Sequence, residues 1–66
     1  MGKMTFLSYM DKNSAYTMRQ MTKLANGNQN DIKDAIDEGM ISMCEENLYG
    51  EELFKITNIG IKYRNN

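Results

Sequence analysis

Histidine is absent from this 66-residue chain and cysteine occurs once, as Cys44. Those two scarcities exclude a zinc site of the Cys/His type, a Cys-His nucleophile pair and an internal disulfide framework. A lone cysteine fits a reducing cytosol. Long apolar runs are also missing. The longest, residues 40–44, is broken at Ser42 and is far too short for a membrane span or for the apolar centre of a signal peptide. The opening Met1-Gly2 has the start of a myristoylation signal, but Phe6 stands where that motif wants Ser or Thr. There is no Gly-rich phosphate loop, nucleophile motif, internal repeat or linker. The pairs Glu45-Glu46 and Glu51-Glu52 do not form a calcium or magnesium loop and read as solubilising residues. These absences point to a cytoplasmic, non-enzymatic protein without a cofactor or a membrane partner.

What is present is a single small domain, residues 1–66, of a size that buries only a marginal apolar area and gains from a second subunit or a partner surface. Net charge is −1, but it is unevenly spread. Residues 1–30 carry +3 from Lys3, Lys12, Arg19 and Lys23 against Asp11. Residues 31–52 carry −7, with Lys33 the single cation, and residues 53–66 return +3 from Lys55, Lys62 and Arg64. A surface that approaches phosphates must avoid the middle block.

Apolar spacing predicts a helix over residues 4–12, with Phe6, Leu7 and Met10 on one stripe and Tyr9 on its flank, where a second subunit would meet it. Asp11-Lys12-Asn13-Ser14 supplies a turn, and residues 15–16 form a minimal strand. Thr17 with Gln20 three residues on has capping-box spacing. The helix that follows turns Met18, Met21, Thr22, Leu24 and Ala25 inward and Arg19, Gln20 and Lys23 outward. Asn26-Gly27 closes it, since these residues accept the left-handed conformation. Asn28 is then the N-cap of a second helix, residues 29–38, with Ile32, Ala35 and Ile36 inward, Gln29, Asn30, Lys33, Asp34 and Asp37 outward, and Gly39 as its stop.

Beyond Gly39 the period changes to two. Residues 41–44 and 53–56 alternate as strands, and residues 45–52, with Asn47 and Gly50, make the polar tip of a hairpin. Cys44, among apolar neighbours in the first strand, is expected to be a buried, inert thiol. Thr57 caps a last turn of helix whose Ile59, Ile61 and Tyr63 add apolar surface. Seven Met residues suit an adaptable core.

Three stretches, TMRQMTKLA at residues 17–25, EGMI at 38–41 and FKITNIGIKY at 54–63, resemble the winged helix-turn-helix DNA-binding domains of bacterial, archaeal and phage regulators. They resemble, in turn, the first helix of the motif, the end of its recognition helix and the exit from its wing. The resemblance implies an α+β, mostly helical fold of three helices, a two-stranded wing hairpin and a short C-terminal helix. It also implies a stand-alone transcriptional regulator, of phage or mobile-element type, that binds double-stranded DNA as a homodimer. Residues 28–38 would then enter the major groove, with Asn28, Gln29, Asn30 and Lys33 toward base edges and Arg19 and Lys23 on phosphates. The chain departs from the family in a recognition helix that closes about one turn early and in a wing bearing Glu45, Glu46, Glu51 and Glu52. The second departure argues against a minor-groove role for the wing. The alternative is a protein-binding adaptor or inhibitor that meets a host protein through Asp34, Asp37, Glu38, Glu45 and Glu46.

Overall fold

The computed structural model describes residues 5–65. Met1-Gly2, Lys3 and Met4, the first residue of the expected opening helix, lie outside the described residues. In chain order the elements are a 3₁₀ helix (Thr5–Tyr9), β1 (Tyr16–Thr17), α1 (Met18–Leu24), α2 (Gln29–Asp37), β2 (Ile41–Glu46), β3 (Glu52–Ile56) and α3 (Asn58–Arg64). The strands form one antiparallel sheet in the order β1-β3-β2. Three α-helices with a three-stranded antiparallel sheet make a small α+β arrangement, compatible with a winged-helix-like layout. The hairpin is thus not a two-stranded ribbon alone, because β1 pairs Tyr16 with Phe54 and Thr17 with Leu53.

The opening segment is a 3₁₀ helix rather than the expected α-helix, and its hydrogen bonds explain why. In an α-helix the Leu7 carbonyl would accept from the Asp11 N–H. Here the Asp11 N–H donates to the Tyr16 hydroxyl at 2.8 Å. The Leu7 carbonyl instead takes the Met10 N–H at 3.2 Å and a guanidinium N–H of Arg64 at 2.9 Å. Arg64 also donates to the Met10 carbonyl, so this half-buried cation ties the C-terminal helix to the start of the chain. The residues expected in the core still reach it: Phe6, Leu7 and Met10 are buried. Asp11 closes the turn by accepting from the Asn13 N–H at 3.0 Å and the Ser14 hydroxyl at 3.4 Å.

The middle follows the expected pattern closely. Thr17 accepts from the Gln20 N–H while the Gln20 side chain accepts from the Thr17 N–H at 2.9 Å, completing the capping box. Asn26 (φ 57°) and Gly27 (φ 85°) both take the left-handed conformation, and the Gly27 N–H returns to the Thr22 carbonyl at 2.8 Å. Gly39 (φ 76°) ends α2 in the same manner, with the Met40 N–H on the Ala35 carbonyl. Met21, Ile32 and Ala35 are buried with Met40, Ile41, Phe54 and Ile56, and Leu24, Ala25, Ile36, Ile61 and Tyr63 pack against them. One expected inward residue does not arrive: Met18, at the first position of α1, is exposed, and so is Ile59 of α3.

The junction between the helices and the hairpin is the most tightly built part. The Thr57 hydroxyl donates to the Gly39 carbonyl and accepts from the Gly60 N–H at 3.1 Å, while the Thr57 N–H donates to the Met40 carbonyl at 2.9 Å. A Cβ on Gly60 would overlap the Met40 carbonyl oxygen and lie 2.7 Å from Ile56 Cγ1. Glycine is therefore required there by close approach of two backbones.

Candidate nucleic-acid interface

The roll of α2 about its axis is fixed by Ile32 and Ala35, which are fully buried. That roll leaves Gln29, Asn30 and Lys33 exposed, and Asn28, just ahead of the helix, is exposed with them. Asn28 occupies the N-cap position, but its side chain makes no cap hydrogen bond. Its own φ and ψ, −88° and 88°, depart from the extended geometry in which Thr17 and Thr57 cap their helices. The expected Asn28 cap is thus corrected to an exposed amide at the mouth of the turn. Asp31, in the first turn of α2, is half-buried and lies where a carboxylate interacts favourably with the helix dipole.

Four of the six expected DNA-contacting residues, Asn28, Gln29, Asn30 and Lys33, are therefore brought together on the exposed first half of α2. Lys23 is exposed in the last turn of α1. Arg19 is engaged elsewhere. Its guanidinium donates to Glu51 Oε2 at 2.9 Å, an ion pair that leans α1 against the hairpin loop and offsets the charge of Arg19. With the Arg19 side chain 80% exposed, the pair adds little to stability and mainly redirects the cation.

The acidic set divides into two places. Asp34 is half-buried and engaged in an interaction of its own, and Asp37 and Glu38 are exposed at the end of α2. From Lys33 to Asp37 the helix rises only about 6 Å. That is shorter than the screening length of about 8 Å at physiological salt, so the acids weaken the attraction of Lys33 for phosphate. Glu45 and Glu46 are exposed on the hairpin.

The hairpin differs from expectation in two respects. First, Cys44 is exposed, not buried. The register passes from Met43 opposite Phe54 to Glu45 opposite Leu53, so Cys44 is the extra residue of a β-bulge. Its thiol donates to the Leu53 carbonyl at 3.4 Å. Beyond the bulge β2 continues to Glu46, which lies directly opposite Glu52. Second, the tip is not polar. Leu48 is 100% and Tyr49 87% exposed.

The loop that presents them is well defined. Asn47 Oδ1 accepts from the N–H groups of Tyr49 (2.9 Å) and Glu51 (3.0 Å), and the Asn47 amide donates to Glu51 Oε1 at 3.0 Å. The Asn47 N–H donates to the Glu51 carbonyl at 2.9 Å, and Gly50 turns the chain at φ 80°. Two successive apolar residues between Asn47 and Gly50 were the sequence signal for this tip, hidden by the four flanking glutamates.

A further surface feature lies on α1, where Tyr16, Gln20, Lys23 and Leu24 line an open depression of about 350 Å³. Among the described residues no three His, Cys, Asp or Glu side chains converge as a metal site would require, and no helix is long and apolar enough to cross a membrane. No family model matches the chain, and neither the curated proteins nor the solved structures hold a significant match.

Proposed function

We propose that this chain is a small winged helix-turn-helix protein that binds double-stranded DNA and regulates transcription without catalysing a reaction. The observation that carries this reading is the exposed run Asn28, Gln29, Asn30 and Lys33 at the start of a helix whose opposite face is buried. In a helix-turn-helix the first turns of the second helix reach base edges in the major groove. Asn and Gln amides pair with the two adjacent polar groups of adenine, and Lys suits guanine or phosphate. Lys23, exposed in the last turn of the preceding helix, is available to a phosphate when it is not otherwise engaged, and Arg19, already paired, has the weaker role. The acidic second half of α2 restricts contact to the first half and disfavours indiscriminate binding.

Titration of a labelled duplex library by fluorescence anisotropy tests this reading. The expected result is binding that falls with salt and is weakened about tenfold by Lys33→Ala, with a log-log salt slope reduced by about 1 per bound subunit. Binding unchanged by Lys33→Ala would refute the assignment of the interface to α2.

A second reading, a protein-binding adaptor or inhibitor on the same scaffold, draws support from the exposed Leu48 and Tyr49 beside Glu45 and Glu46. Reversing Asp37 and Glu38 to Lys separates the two. It should strengthen duplex binding under the first reading and abolish capture of a basic protein partner under the second.

A further inference from the structure

We infer that the hairpin tip is a self-association element: Leu48 and Tyr49 of one copy enter the Tyr16–Leu24 depression on α1 of a second copy, and the exchange is reciprocal. This inference goes beyond the duplex-binding reading and does not depend on it.

The tip has the form of an anchor. Beyond Ile41 every residue of β2 is exposed, so this strand is an open edge of the sheet that leads out to the tip. Two large apolar side chains stand at its end on a loop already ordered by the Asn47 hydrogen bonds and braced by Arg19. An anchor ordered before contact loses little conformational freedom on binding, which is the main cost of seating a flexible loop. Tyr is moreover among the residues that dominate interface energies.

The depression has the form of a receptor. Tyr16 and Leu24 supply apolar walls that are only half-buried. The Tyr16 ring is held by its hydroxyl, which accepts the Asp11 N–H at 2.8 Å, so the floor exists before any partner arrives.

Charge selects the occupant. The tip rises from a collar in which Glu46 and Glu52 face each other across the strands, an unfavourable like-charge pair. That collar repels duplex phosphates and anionic lipid alike and favours a basic rim. The rim of the depression carries one cation, Lys23, and no acid. A knob with an acidic collar and an apolar hole with a basic rim therefore occur on the same molecule.

They are also close together on it. Glu51, at the foot of the tip, pairs with Arg19, the residue before Gln20 of the depression. A knob and a hole carried by the same molecule allow a two-fold pair, in which each surface meets its counterpart and the assembly closes at two copies. In that pair Lys23 turns toward the partner's carboxylates. The duplex-facing set is then Asn28, Gln29, Asn30 and Lys33.

Sedimentation velocity on the full chain without DNA tests the inference. The wild-type protein should pass from its 7.6 kDa monomer to a species of twice that mass as concentration rises and salt falls. Leu48→Ser/Tyr49→Ser should stay monomeric with an unchanged circular dichroism spectrum, as should Lys23→Glu alone and Glu46→Lys/Glu52→Lys alone. Mixing the last two should restore a 1:1 pair, because in the mixed pair both knob-and-hole contacts again join opposite charges. A wild-type chain that stays monomeric up to its solubility limit would overturn the inference. So would a dimer that the tip variant leaves intact, or a tip that seats only on a different, basic protein.

Discussion

The junction around Gly60 and the tip around Tyr49 lie at opposite ends of the same hairpin and show opposite relations between sequence and surroundings. At the junction every group is committed. Thr57 bonds to Gly39, Met40 and Gly60, and no atom fits between Gly60 and the Met40 carbonyl. At the tip the backbone is equally well bonded, through Asn47, but the side chains of Leu48 and Tyr49 touch solvent. Order at the junction serves folding, because it locks the last helix to the first strand of the hairpin. Order at the tip contributes little to the core and so is available for recognition.

Substitutions sharpen that contrast when ranked by their effect on stability, read as the urea unfolding midpoint. Gly60→Ala forces two backbones apart and should cost about 3 kcal/mol. That is much of the roughly 3–10 kcal/mol expected for a domain of this length. A loss under about 0.5 kcal/mol would show that the junction yields easily. Thr57→Ala removes the α3 cap and the bond to Gly39 and should cost about 1–2 kcal/mol. Arg19→Ala breaks an exposed ion pair and should change stability by less than about 0.5 kcal/mol. In the monomer, at concentrations too low for pairing, Leu48→Ser/Tyr49→Ser should change it least, since neither side chain is buried; a cost there comparable to that of Thr57→Ala would contradict the contrast between the two ends.

Much of the fold was legible because local rules and long-range packing agree. Thr17 with Gln20, Asn26-Gly27 and Gly39 each specify their own backbone geometry, and the structure places a helix boundary at all of them. The misreadings occur where a distant group decides. The opening segment became a 3₁₀ helix because the Tyr16 hydroxyl, beyond the turn, and Arg64, 57 residues from Leu7, took hydrogen bonds an α-helix would have used internally. Cys44 surfaced because a one-residue bulge moved it out of the ladder, and alternation alone does not reveal a bulge.

Among the candidate contact residues, the exposed run Asn28 to Asn30 with Lys33 follows directly from the burial of Ile32 and Ala35, which the spacing predicts. The capture of Arg19 by Glu51 was not legible, since the two are 32 residues apart and nothing local links them. The tip was misjudged because four acids dominate the composition of its loop, whereas exposure is decided residue by residue.

The central claim is that the first half of α2 reads duplex DNA. It is tested most directly by selecting bound sequences from a random duplex pool with the wild-type protein and with Asn30→Ala. The account predicts that the wild type enriches a defined short motif and that the variant loses preference at one adenine-containing position while keeping the rest. Enrichment of no motif by the wild type, or an identical motif from both proteins, would contradict it.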